Sequence, residues 1–217
     1  MMTFANRADA GRRLASQLSA FRNRDDLLIL GLPRGGVPVA AAVARALNAS
    51  LDVMIVRKIG TPRLPELAVG AVASGGVIVL NDEFDDAFTD PVQLRKFAAR
   101  ELIEVAHCER RFRGNRPPLR TRNRCVILVD DGAATGASMI AAIRAVRELG
   151  ARRVVVAIPV ASYAAHRKLE AEADEVVCLL TPNDFHCVGD WYRDFAQTSD
   201  AEVSALLSHS SLAHVAG

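Results

Sequence analysis

The stretch from Cys125 to Ile140, CVILVDDGAATGASMI, limits the possible folds more than any other part of the chain. Val126 to Val129 is an unbroken apolar, mostly β-branched run, which suits a strand buried on both faces of a parallel sheet. Asp130 and Asp131 place two carboxylates at the carboxyl end of that strand. Gly132, Ala133, Ala134, Thr135 and Gly136 follow with little side-chain bulk, and Ser138 leads into the helical pattern IAAIRAVREL. Such a loop lets several backbone N–H groups approach an anion at the positive end of a helix. One strand-loop-helix thus offers acceptors for sugar hydroxyls beside donors for a phosphate.

Two other phosphate motifs fit poorly. A P-loop requires a lysine that Gly132 to Ser138 does not contain, and the dinucleotide pattern G-x-G-x-x-G is absent here. From Val126 to Ser138 the stretch resembles, residue for residue, the ribose 5-phosphate motif of the type I phosphoribosyltransferases. The resemblance implies a site for 5-phosphoribosyl-1-pyrophosphate, with Asp130 and Asp131 holding the ribose 2- and 3-hydroxyls and residues 132–136 wrapping the 5-phosphate. It also implies Mg²⁺ near the two aspartates, reached through the ribose or through water. The alternative from the residues alone is an acidic strand end followed by a glycine turn.

A second strand-loop-helix precedes it. Leu27 to Leu30 runs into Gly31-Leu32-Pro33-Arg34-Gly35-Gly36 and then VPVAAAVARAL, with Pro38 in the first turn, where a missing N–H is tolerated. In the family resembled, this loop cups the pyrophosphate, often through a non-proline cis peptide, which makes Arg34, Gly35 and Gly36 binding candidates. Leu51 to Val56 reads as a further buried strand closed by Arg57 and Lys58, two cations suited to a polyphosphate. Since consecutive strand side chains face opposite ways, one of the pair is expected in solvent, with Lys58 preferred for the site.

Gly60 to Glu66 reads as a loop entering a hairpin whose turn is Ser74-Gly75-Gly76. By resemblance the loop is a lid that excludes water, with Arg63 and Glu66 as its polar residues. Apolar periodicity predicts an amphipathic helix from Asn6 to Phe21, with a covering role and no function assigned, and another from Pro91 to Phe112. RVVVAIP from Arg153 and EVVCLL from Glu175 are two more strands around a helical segment. Strand and helix alternate from residue 27 onward apart from the hairpin. The fold class is therefore α/β, a doubly wound, mainly parallel sheet of the type I phosphoribosyltransferase kind. Ligands in such sheets lie beyond the carboxyl ends of the strands, where Arg34, Lys58 and the Asp-Asp pair all fall.

The expected organisation is a core over residues 1–180, with a helical insertion at about 90–113 and a basic linker over 110–124, then a small C-terminal hood and closing helix over 181–217. The linker carries seven arginines and no acid, against a net charge of +2 for all 217 residues. It reads as a solvated spacer, or else as a nucleic-acid contact, although Phe112 alone interleaves with the arginines. The tail holds Phe185, Trp191, Tyr192 and Phe195, and Trp191 with Tyr192 are candidates for a wall against which an acceptor base stacks. Ser199 or Asp200 is the expected N-cap of the closing helix. Four cysteines without C-x-x-C spacing argue for reduced thiols. No apolar run reaches membrane-spanning length and the first residues lack a signal core, so a cytoplasmic location is expected.

The implied activity transfers ribose 5-phosphate from 5-phosphoribosyl-1-pyrophosphate to a nitrogenous base or similar nucleophile and releases pyrophosphate, with Mg²⁺ as cofactor. The acceptor is not legible, and a homodimer is expected only by analogy. The competing reading is a weakly catalytic sensor of the same ligand that binds nucleic acid through its arginines.

Overall fold

The computed structural model describes residues 3–61, 64–80 and 91–212. Its centre is a five-stranded parallel sheet in the order β2-β1-β6-β7-β8, built from β1 (Leu27–Gly31), β2 (Ser50–Val53), β6 (Cys125–Val129), β7 (Arg153–Val160) and β8 (Glu175–Leu180). The α/β, mainly parallel architecture expected from the alternation is present. All five residues of β1 and of β6 are buried, as continuous apolar strands inside a two-faced sheet must be. Helices α1 (Arg7–Gln17), α2 (Gly36–Leu47) and α6 (Asp200–Leu212) contribute to one apolar layer, while α4 (Ala137–Glu148) and α5 (Tyr163–Glu172) contribute to the other. Chain order reverses between β1 and β6, so the loops leaving these two neighbours diverge and open a crevice at the carboxyl end of the sheet.

A second, antiparallel sheet joins β3 (Val56–Thr61), β4 (Leu64–Ala73) and β5 (Val77–Leu80). Its β4–β5 turn is Ser74–Gly76, the predicted hairpin turn, with Gly75 and Gly76 at φ 81° and 77°. The sheet corrects the reading of a single strand from Leu51 to Val56. The parallel strand stops at Val53, and Arg57 and Lys58 lie inside β3, paired with Val72 and Ala71. Glu66 falls in β4 rather than in a loop. Arg63 lies outside the described residues.

Helix α1 is shorter than its apolar pattern, ending at Gln17 before a 3-10 turn over Ser19–Phe21; Asn6 caps it by accepting from Asp9 N at 2.9 Å. Helix α3 spans Pro91–Arg113. In the arginine-rich stretch Arg110, Arg111, Arg120 and Arg122 are exposed, whereas the other three are bonded into the fold. Arg113 grips the nearly buried Asp52 through two bonds of 2.9 and 3.0 Å. Arg116 donates to the carbonyls of Leu51 and Leu207, and Arg124 donates to that of Leu27. These guanidiniums satisfy carbonyls and a carboxylate at the amino-terminal edge of the sheet and fasten α6 there. The four cysteines are unpaired, and Cys125 alone among them is buried. Among the described residues no helix is long and apolar enough to cross a membrane.

Helices α1 and α2 meet at Gly11. A β-carbon there would lie 2.5 Å from the Val39 carbonyl oxygen and 2.7 Å from the Ala42 β-carbon. Gly11→Ala is therefore expected to destabilise the protein by about 1–3 kcal/mol in spite of the better helix propensity of alanine. At this chain length that lowers Tm by roughly 2–4 °C per kcal/mol, measurable by thermal unfolding; an unchanged or higher Tm would show that the two helices separate freely.

Candidate active site

Two glycines and two aspartates form the centre of the crevice. The loop after β1 runs from Leu32 to Gly35, with a cis peptide between Pro33 and Arg34 as the resemblance implied, and passes directly beneath the end of β6. A β-carbon at Gly35 would stand 2.0 Å from Asp131 Oδ2, and one at Gly36 would stand 2.9 Å from Asp130 Oδ1 and 2.7 Å from the Val129 carbonyl oxygen. The glycines thus give the acid pair room against the first loop. A tight turn, the plainer reading of this dipeptide, does not account for those distances.

Asp130 accepts from the backbone N–H of Asp131 at 2.9 Å. Burial, reinforced by the adjacent Asp131 charge, pushes its carboxyl well above the usual range. Burial also raises Asp131, against an opposing cation: Arg7 donates through Nε to Oδ2 at 2.8 Å. Arg7 belongs to α1, the helix read as having no part in function, and is the site residue that sequence reasoning missed. Its Nη1 also donates to the carbonyl of Ala196 at 2.7 Å, and its guanidinium lies 3.9 Å above the ring of Phe195.

The loop after β6 is anchored to β7 and α5. Ala133 bonds the end of β7 through Val160, and Ser162, the N-cap of α5, donates its hydroxyl to the Ala134 carbonyl at 2.7 Å. Gly136 takes φ 77°, a conformation suited to glycine, and the next residue begins α4. Among the described residues the N–H groups of Ala134, Thr135, Gly136 and Ser138 have no protein acceptor, and that of Ala137 meets only the Thr135 hydroxyl at 3.4 Å. Unpaired donors at the start of a twelve-residue helix, beside two carboxylates, can take an anion on one side and hydroxyls on the other.

The remaining candidates divide. Arg34 reaches the edge of the crevice, where it pairs with Asp200 of α6 at 3.5 Å. Arg57 and Lys58 point apart as strand geometry requires: Arg57 pairs with Glu101 of α3 at 2.5 Å, and Lys58 lines a groove of about 380 Å³ beside Thr135 and Ala137. Arg57 is therefore turned toward α3, away from Thr135. Trp191 and Tyr192 do not form the expected stacking wall. Both are buried with Phe4 and Val160, because the N-terminal segment bonds the tail from Phe4 N to the Trp191 carbonyl at 2.8 Å and from Arg193 N to the Phe4 carbonyl at 2.9 Å. Tyr192 still serves the site through its hydroxyl, which donates to the Asp131 carbonyl at 2.6 Å. Burial and the Asp131 charge push that phenol up, so it remains a donor.

No cluster of three or more His, Cys, Asp or Glu side chains able to hold a metal occurs among the described residues. The acid pair suits a hard cation that takes most of its oxygens from substrate and water, the usual mode of Mg²⁺.

A family model described as phosphoribosyl transferase domain matches residues 4–195. Two curated Mycobacterium tuberculosis proteins, from strains CDC 1551 / Oshkosh and ATCC 25618 / H37Rv, carry provisional phosphoribosyl transferase names. Each is 46% identical over 213 residues, covering 95% of this chain and 47% of its own length. The chain thus spans about half the length of these relatives. A crystal structure of a Thermus thermophilus protein superposes with a TM-score of 0.87 at 46% identity, covering 96% of this chain and 99% of that one.

The raised Asp130 carboxyl makes a pH-dependent prediction. Above the ordinary aspartate value the unfolded chain has lost this proton while the folded protein retains it, so wild-type stability falls as pH rises toward the shifted value. Asp130→Asn keeps the acceptor for Asp131 N and removes the charge. It is expected to raise Tm near pH 7, with the gain vanishing below about pH 4. Equal Tm values across that range would refute the raised Asp130 carboxyl.

Proposed function

Because this chain belongs to the phosphoribosyl transferase domain family, we propose that it binds 5-phosphoribosyl-1-pyrophosphate and transfers ribose 5-phosphate to a nitrogen nucleophile. The observation that carries this reading is the adjacency of Asp130 and Asp131 to the N–H groups of residues 134–138 at one end of the sheet. In it, the N–H groups and the positive end of α4 hold the 5-phosphate, while the two carboxylates accept from the ribose hydroxyls. A sugar gripped at both ends presents C1 in a fixed place, and that positioning is a large part of what such a site can contribute. The bond from C1 to the pyrophosphate oxygen breaks, a bond from C1 to the acceptor nitrogen forms, and the acceptor loses a proton. Arg34 favours the departing negative charge, and the aspartates stabilise positive charge near C1. Asp130 and Asp131 would be the residues to hold Mg²⁺, and the ion would supply neutralisation of the departing pyrophosphate charge.

Lys58 adds a cation near the phosphate loop at Thr135. Arg113, Arg116 and Arg124 are committed to the fold and leave the nucleic-acid contact of the sensor reading only the exposed arginines of that stretch. With Trp191 and Tyr192 buried, the acceptor is not assigned to a stacking wall.

Incubation with Mg²⁺, 5-phosphoribosyl-1-pyrophosphate and a panel of nitrogenous bases is expected to release pyrophosphate with at least one acceptor. Asp131→Asn should lose that turnover while its circular dichroism remains native. Silence across the panel, or full turnover by Asp131→Asn, would overturn the assignment of catalysis or of this residue respectively.

A further inference from the structure

Asp131 is expected to accept from a ribose hydroxyl, yet one of its two oxygens is already occupied. Oδ2 receives the Arg7 Nε–H at 2.8 Å, in a pair whose side chains are only 12% and 15% exposed. Arg7 is itself fixed on two further sides, by its bond to the Ala196 carbonyl and by the ring of Phe195. Asp131 is fixed equally well. Its carbonyl takes the Tyr192 hydroxyl, and Gly35 leaves just enough room for Oδ2. A guanidinium immobilised in this way sets the carboxylate plane and leaves Oδ1 as the free acceptor.

We propose that Arg7 is a positioning residue for the phosphoribosyl site, which holds the Asp131 carboxylate in the orientation that presents Oδ1 to the ribose hydroxyl. The proposal rests on the functional reading above. Without Arg7 the carboxylate loses the donor that fixes Oδ2 and can rotate about its side-chain bonds.

The test combines calorimetry with thermal unfolding on wild type, Arg7→Met and Arg7→Lys, with ribose 5-phosphate and inorganic phosphate as ligands in the presence of Mg²⁺. Ribose 5-phosphate should bind Arg7→Met about tenfold more weakly, as loss of one oriented charged hydrogen bond implies, and Arg7→Lys, which restores charge without the planar fork, less weakly than that. Inorganic phosphate, which brings no ribose hydroxyl, should bind all three proteins equally. A loss shared by inorganic phosphate, or one that tracks Tm, overturns the positioning role. If Arg7→Met does not fold, Arg7→Lys gives the same two readouts. Failure of the wild type to bind ribose 5-phosphate would instead sink the functional reading; a crystal structure of the variant then judges Arg7 by itself, an unchanged Asp131 rotamer overturning its role.

Discussion

The close fit of Gly35 and Gly36 against Asp131 and Asp130 is the constraint on which the rest of the site depends. Two parallel neighbours, β1 and β6, end together, and their loops must diverge around whatever stands between them. Here a pair of carboxylates stands between them, and a β-carbon at Gly35 or Gly36 of the facing loop would collide with it. Once the glycines admit the acids, Arg7 has a charge to neutralise, Tyr192 has a carbonyl to reach, and the N-terminal segment and tail are drawn over the same end of the sheet. The site is thereby tied to four stretches of chain distant in sequence.

Such an arrangement is expensive in electrostatic terms. Two adjacent, partly buried carboxylates repel each other and lose hydration, and one guanidinium compensates them incompletely. A fold optimised for stability alone would not keep both. The N–H groups of residues 134–138 carry the opposite polarity a few residues away, on a loop anchored by its bonds to β7 and Ser162. Charge of both signs is pre-arranged, and each part lacks a protein partner on the side that faces the crevice.

What was legible in the chain was local. Val126 to Val129 suits a buried strand, and the acids, small residues and helix after it announce their own order, so the centre of the site follows from a dozen consecutive residues. The glycine loop at 31–36 could be placed for the same reason. The cause of its two glycines could not, because the colliding atoms belong to residues almost a hundred positions later. Arg7 was hidden by the same distance: on an amphipathic helix an arginine on the polar side reads as solvated, and nothing nearby marks its partner. The parallel strand was read too long because apolar character continues through Met54 and Ile55 into β3. Trp191 and Tyr192 were misplaced because aromatic content measures apolar surface without saying which surface covers it. In the arginine-rich stretch, charge alone suggested solvent, whereas Asp52 and unpaired carbonyls at the sheet edge supplied the partners.

The central claim is that the acid pair and the 134–138 loop hold opposite ends of one phosphorylated sugar. A crystal structure with ribose 5-phosphate and Mg²⁺ tests it most directly. The account predicts the phosphate on the N–H groups of Ala134 to Ser138 and the ring hydroxyls on Asp130 and on the free oxygen of Asp131. A phosphate seated elsewhere, or a sugar that leaves both carboxylates without a ligand, would contradict it.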